Sequence, residues 1–368
     1  MCTPSPHGVA TPVKRVVIHR PGGYDRLRTE EGPDAAPGPG EVAVDVAAFG
    51  INYADCVVRM GLYAAARELA GYPITPGFEV AGIVAAVGEG VTPSLVGTPV
   101  MAITLFGGYT SRLVIPYQQV FPLPAGWTHL QAAAFPAVFL TAWTALFELA
   151  HLHAGDTVLV HSAAGGVGGA LVQLARLAGC RVVGVVGGAH KVDAVRALGA
   201  EEVIDKSSQP LWEEARRVAP DGYHVVLDAN GAATLAESYR HLAAPGKLVV
   251  YGFHSMLPKR GGRPRWPRLA WAYLRTPRFS PLQLTRDNRS VLGFNLSFLA
   301  TRTALIRHGM EQLLAWIDAG KIQPPTVTPY PWDAVADAHR DLESGTTVGK
   351  LVVTTGRPDL PPGTGRRP

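Results

Sequence analysis

Between Thr157 and Gly179 the chain reads TVLVHSAAGGVGGALVQLARLAG, and three of its glycines, Gly165, Gly166 and Gly168, fall where an apolar run gives way to helical spacing. Glycine lets a backbone pass close to a pyrophosphate, and the helix start that follows offers N–H donors and the positive end of a dipole. Ala163 stands where a complete G-x-G-x-x-G would have its first glycine, so context has to carry the reading. That context is a strand before, a helix after, and a second strand, RVVGVV, ending about twenty residues later. The turn Gly165, Gly166, Val167, Gly168 therefore predicts a dinucleotide site, against the plainer alternative of a turn that only packs helix on strand. The end of the second strand selects the dinucleotide. An NAD site places Asp or Glu there to bond the ribose 2′-OH, but this chain has Val186, Gly187, Gly188, Ala189, His190 and Lys191. Lys191, and Lys206 in the VIDKSS turn, would neutralise a 2′-phosphate instead, which predicts NADPH; the alternative is a pair of solvated helix-end lysines.

Such a turn needs a sheet to hold it. The chain has 368 residues, 47% hydrophobic and 17% charged, enough for about two domains with large cores and too apolar for disorder except at the ends. The first 130 residues read as short strands and turns (VKRVVIHR, EVAVDVAAFGIN, EVAGIVAAVG, TPVMAI). From about Leu130 the runs TVLVHS, RVVGVV, EEVID, YHVVLDA and KLVVYG alternate with LVQLARLAG, KVDAVRALG, QPLWEEARRVA and LAESYRHLA. Buried β-runs joined by amphipathic helices predict an α/β fold with a parallel, doubly wound sheet. A sixth run, SVLGFN, is followed by two helices (ALIRHGMEQLLAWIDAG, AVADAHRDLESG), an extended piece near PTVTPY, and a closing strand, KLVVTT; the tail GRPDLPPGTGRRP reads as disordered. QAAAFPAVFLTAWTALFELA carries Gln131, Pro136 and Glu148, so it reads as a long buried helix rather than a membrane span. MCTPSPHGVATPV has no basic-then-apolar leader, which makes the cytoplasm the expected location.

Cys2, Cys56 and Cys180 are too scattered for a disulfide framework or a thiolate zinc site. Charge is uneven: from Leu257 to Arg289 nine basic residues face one acid, Asp287, whereas the rest of the chain carries about −3. Nucleic-acid affinity is not expected from that balance. The basic segment interleaves its arginines with Trp266, Trp271, Tyr273 and Phe279. Three readings stay open for it: a lid over a substrate cleft, with Trp266, Trp271 and Phe279 as a stacking wall; a subunit-contact loop; or contact with a membrane or anionic partner.

The turn AAGGVG, preceded by AAAFPAVFLTAW and PGFEVAGIVAAVGEGV, resembles the zinc-independent quinone oxidoreductase (zeta-crystallin-like) branch of the medium-chain dehydrogenase/reductase superfamily, over about Lys14 to Thr355. FGINYADCVVRMGLY and SVLGFNLSFL are most similar to its vesicle amine transport protein-type members. The resemblance implies a GroES-like catalytic domain from both chain ends (1–135 and 299–368), a Rossmann NADP-binding domain between them (136–298), a cleft active site and a homodimer. Zinc-dependent relatives carry a Cys near NYAD and a His before the Glu of PGFE; here Cys56 is out of register and Phe78 precedes Glu79, so no metal is expected. What remains is hydride delivery from a nicotinamide to a quinone or the C=C bond of an α,β-unsaturated carbonyl. The alternatives are a biosynthetic enone or enoyl-thioester reductase of narrow substrate, and a dinucleotide-binding interaction protein with little turnover. By resemblance Asn52 lines the cleft near the nicotinamide ribose, with neighbouring Tyr53 as the candidate proton donor, although branch members with a tyrosine four residues on have Val57 here. Thr141 approaches the nicotinamide; Gly252 and Phe253, with Phe294, Asn295 and Leu296, frame its ring and carboxamide; Lys350 is placed on the phosphate side. Glu79 is read as a structural acceptor, and Asp55 as a partner of turn backbone.

Overall fold

The computed structural model describes residues 12–357, so the expectations for the leader region and most of the tail lie outside the described residues. Six parallel strands form one sheet: β8 (Thr157–Val160), β9 (Arg181–Val186), β10 (Glu202–Asp205), β11 (Tyr223–Asp228), β12 (Leu242–Val250) and β13 (Arg289–Gly293). Their order, β10-β9-β8-β11-β12-β13, reverses direction between β8 and β11, and in such sheets the crevice at the switch point is where ligands bind. All six were expected as apolar runs, since strands covered on both faces need apolar side chains on both.

The seven preceding strands are β1 (Val13–Val17), β2 (Arg28–Gly32), β3 (Glu41–Ile51), β4 (Glu79–Val87), β5 (Pro99–Ile103), β6 (Arg112–Pro116) and β7 (Val120–Pro122). β3, β4, β5 and β7, antiparallel neighbour to neighbour, form a sheet that is completed from the far end of the chain by β15 (Lys350–Thr354) and, parallel to it, β14 (Val327–Pro331), while β6 pairs with β3. β15 runs antiparallel to β3, Leu351 facing Ile51, so the two chain ends share one core. A bridge between Gly165 and Gly349, with the Gly349 N–H donating to the Ala164 carbonyl at 2.8 Å, ties the glycine turn to the start of β15.

Two differences from the sequence reading have local causes. The long helix expected over 131–150 is broken: Pro136, which has no N–H, restarts it as Pro136–Trp143, and the chain then widens into a π-helical stretch, Thr144–Ala150. Helix Thr303–Asp318 packs on it so closely that a Cβ at Gly309 would lie 2.8 Å from the Trp143 ring. The helix expected over 235–243 stops at Arg240, because β12 already begins at Leu242 and pairs with Tyr223.

Candidate active site

A cleft of about 1620 Å³ opens at the switch point, and all sixteen residues anticipated for the site line it. The glycine turn forms its floor. Helix Gly166–Leu177 starts there, and a Cβ at Gly168 would sit 2.2 Å from the Ser162 carbonyl oxygen and one at Gly166 3.0 Å from Val138. Side chains are thereby kept off the helix start, so its first N–H groups face open space. A dinucleotide fits this cradle.

At one end of the cleft Lys191 and Lys206 meet a third lysine, Lys259, from the loop after β12. Burial, with the positive charges of Lys206 and Lys259, lowers the pKa of Lys191; burial and Lys259 lower that of Lys206. Lys191 donates to the Gly345 carbonyl at 2.6 Å, and His190, exposed beside it, contacts the Thr346 carbonyl at 3.0 Å. The charge of Asp228 offsets this in part at Lys206, but among the described residues none of the three lysines forms an ion pair, and ammonium groups so gathered are unfavourable unless an anion joins them. Lys259 escaped the sequence reading because nothing local separates it from the eight other basic residues of its segment.

The opposite end is built differently. Glu79, fully buried, accepts from the Asn52 amide (2.9 Å) and the Ala137 N–H (2.8 Å), and it pairs with the Lys350 ammonium at 2.5 Å. Lys350 also donates to Asn52 Oδ1 at 2.5 Å. Lys350, expected on the phosphate side, has its stem beneath Gly166 and its charge paired with Glu79. Asn52 is oriented at both ends of its amide and caps helix Tyr53–Arg59. Asp55 bonds turn backbone, accepting from the Asn52 and Gly77 N–H groups at 2.8 and 2.9 Å, although complete burial raises its pKa to about 7.

Between these ends lie Thr141, whose hydroxyl donates to the Ala137 carbonyl (2.7 Å), Gly252 and Phe253 after β12, and Phe294, Asn295 and Leu296 after β13. Two phenols face the same space. The Tyr53 hydroxyl lies 3.5 Å from the His254 carbonyl, and burial raises its pKa. Tyr63, the last residue of the FGINYADCVVRMGLY motif though not singled out there, donates to Asn295 Oδ1 at 2.9 Å, contacts Ser297 Oγ at 2.8 Å, and is also raised by burial. Only the tertiary fold brings the Tyr63 loop over β13, so no local signal marks it. His254 is pulled down to about 4 by burial and Lys206, which keeps it neutral.

Helix Trp266–Arg275 forms a wall: Trp266, Leu269, Ala270 and Tyr273 line the cleft, as does Phe279 beyond it. Trp271 departs from the expected stacking wall. Helical spacing turns it to the outer face, where Arg275 lies over its ring at 5.6 Å.

The chain matches the family model described as "Alcohol dehydrogenase GroES-like domain" over residues 38–125 and the one described as "Zinc-binding dehydrogenase" over 198–353. It is 35% identical to the rat (Rattus norvegicus) synaptic vesicle membrane protein VAT-1 homolog over 355 residues, 94% of this chain and 85% of that protein. It belongs to the medium-chain dehydrogenase/reductase superfamily, in the VAT-1-like, zeta-crystallin branch. Among solved members of the superfamily, Escherichia coli quinone oxidoreductase complexed with NADPH superposes with a TM-score of 0.79 at 28% identity (93% of this chain, 99% of that one). CurK enoyl reductase gives 0.78 at 27% (93% and 99%). The chain is thus an oxidoreductase of this superfamily, with a GroES-like and a Rossmann-type domain.

Among the described residues, the zinc in the name of the matched family model has no ligand set in this cleft. Phe78 precedes Glu79, and Glu79 is already committed to Lys350, Asn52 and Ala137. Among the described residues, one group has its ligand atoms at metal-like spacing: Cys56, His339 and Glu343, all buried. Each is engaged. The Cys56 thiol faces His339 Nδ1 at 3.4 Å, His339 Nε2 contacts the Tyr109 hydroxyl at 3.0 Å, and Glu343 binds Arg59 and the Tyr24 hydroxyl. Burial holds the thiol protonated and pulls His339 down to about 3, so the cluster is a neutral core network beside an ion pair.

Proposed function

We propose that this superfamily member is a zinc-independent, NADPH-dependent reductase that delivers hydride to a quinone or to the C=C bond of an α,β-unsaturated carbonyl. The observation that carries the reading is the pairing of an unfilled glycine cradle with three lysines that line the same cleft and form no ion pair among the described residues. In this reading the helix start at Gly166 holds the pyrophosphate, Lys191, Lys206 and Lys259 hold the 2′-phosphate, and Thr141, Gly252, Phe253 and Phe294 to Leu296 surround the nicotinamide. The bound nicotinamide supplies the hydride. Asn52, fixed by Glu79 and Lys350, orients the ribose towards an acceptor already activated by conjugation. Tyr53 and Tyr63 stay protonated and offer hydroxyls to the developing oxyanion. The likenesses to a quinone oxidoreductase and an enoyl reductase favour conjugated acceptors of both kinds. We place the domain limits at 1–135 and 299–368 around 136–298, and a homodimer across the open edge of β13.

The test is oxidation of NADPH and NADH followed at 340 nm against small quinones and enones, with and without a chelator. Chelator-insensitive turnover that prefers NADPH is expected. Turnover abolished by the chelator and restored by zinc, or a preference for NADH, contradicts the proposal.

A further inference from the structure

Arg59 closes helix Tyr53–Arg59 with its side chain fully buried, and it is held from two directions. On its own side its guanidinium pairs with Glu343, fully buried in helix Val335–Ser344, lies 4.6 Å from the centre of the Tyr24 ring and donates through Nη1 to the Gly22 carbonyl at 2.8 Å. Nη1 also donates at 2.6 Å to the Gly262 carbonyl, which belongs to the loop after β12, 203 residues further along the chain. A guanidinium taken out of water needs acceptors for its donors, and here the loop supplies one in place of solvent. Gly262 suits the contact: its φ of +61° lies in the left-handed region, and a Cβ there would stand 2.8 Å from the Tyr24 ring and 3.1 Å from Arg59 Nη1. The loop is fixed on both sides of this point, since Leu257 is buried against Cys56 and Met60, and Arg263 reaches Asp25 at 3.7 Å.

Lys259 stands between the anchors at Leu257 and Gly262. It is exposed and among the described residues forms no ion pair, and its charge bears on both Lys191 and Lys206. A lysine free to move would swing away from two like charges into water, so its place beside them is owed to the loop that carries it. Helix Val335–Ser344 meets the lysine group a second time, because Gly345 at its end accepts from Lys191 at 2.6 Å. The lysine end of the cleft is thus completed by a helix that packs on β15 of the antiparallel sheet, and not by the parallel sheet alone.

We infer that Arg59 is a positioning residue for cofactor choice: by holding the Gly262 carbonyl it fixes the loop that presents Lys259 to the 2′-phosphate, so that part of the NADPH preference is set outside the nucleotide-binding sheet. This role rests on the NADPH reading above, and Arg59 itself does not line the cleft.

The test is equilibrium titration of the full chain with NADPH and with NADH, in the parent, in Arg59→Lys, Gly262→Val and Lys259→Met, and in the two doubles that combine Lys259→Met with each of the others. Arg59→Lys keeps a positive charge for Glu343 but gives up the planar fork that spans Glu343 and Gly262. Gly262→Val drives the loop away from Tyr24 and leaves the Arg59–Glu343 pair in place, so it decides the matter if Arg59→Lys fails to fold. Each single variant is expected to lose roughly threefold to tenfold in NADPH affinity, the scale of one charge-assisted hydrogen bond, with NADH affinity unchanged. Because Arg59 acts through Lys259, adding either change to Lys259→Met should cost nothing further. A merely structural role would lower affinity for both nucleotides together, or give losses that multiply with that of Lys259→Met; either result overturns the role of Arg59. An NADPH preference kept in any of the three single variants that folds, while the parent prefers NADPH, overturns that role and leaves the NADPH reading standing. A parent with equal affinity for the two nucleotides removes the NADPH reading and the role of Arg59 with it.

Discussion

The two ends of the cleft use lysine in opposite ways. Lys350 is buried against Glu79 and Asn52, its charge matched and its donors taken up. Among the described residues Lys191, Lys206 and Lys259 form no ion pair, and each of the first two has its pKa lowered by burial and by its lysine neighbours, with Asp228 offsetting this only in part at Lys206. A matched buried charge is architecture: it holds Asn52, the Pro136 helix start and β15 in register. On the proposed reading the unmatched charge in the cavity serves recognition, since an anion would relieve its repulsion. The same residue type in one cleft thus separates what builds the site from what the site binds.

The comparison breaks most directly if the floor is filled. Gly168→Val forces a clash with the Ser162 carbonyl, whose backbone cannot move aside cheaply, and should weaken NADPH and NADH binding alike by more than about a hundredfold, read by nucleotide fluorescence. Lys350→Met should leave Glu79 buried and unpaired, costing roughly 3–5 kcal/mol in denaturant unfolding. Lys206→Met should do the reverse: stability held or slightly raised, and NADPH affinity lowered roughly tenfold to a hundredfold with NADH affinity unchanged.

A pH series sharpens the contrast. Because burial and mutual repulsion lower the pKa values of Lys191 and Lys206, their positive charge is complete at low pH and is lost on raising the pH before the usual lysine value of 10.5 is reached. The preference for NADPH over NADH should therefore fall on the alkaline side, while NADH binding stays flat. The smallest effects are expected from Tyr53→Phe and Tyr63→Phe. An essential general acid contributes roughly 10²–10⁴-fold; with two phenols and Ser297 near the same space, each substitution should lower kcat less than about tenfold with cofactor affinity unchanged.

Much of the nucleotide-binding half was legible because a parallel sheet covered on both faces must be written as uninterrupted apolar runs, and the glycine turn is local to one strand and one helix. The cofactor end was half legible. Lys191 and Lys206 follow strands whose ends converge by topology, whereas Lys259 enters from a loop after β12 whose path depends on tertiary contacts such as Arg59 to the Gly262 carbonyl at 2.6 Å. The partner of Lys350 was not legible for a related reason: its position on β15 follows from the strand pattern, but which way its ammonium turns is decided by the buried carboxylate of Glu79, contributed by β4. The helix over 131–150 shows the limit of periodicity, since Pro136 and the π-helical widening redirect a continuous apolar run.

Recognition of a 2′-phosphate by the lysine end is the property on which the proposed function turns. Equilibrium titration of the parent and Lys206→Met with NADPH and NADH tests it without any knowledge of the acceptor. The account predicts that the parent binds NADPH at least tenfold more tightly than NADH and that the variant approaches parity by losing NADPH affinity alone. A parent that binds the two nucleotides equally, or a variant that loses both in proportion, would contradict it.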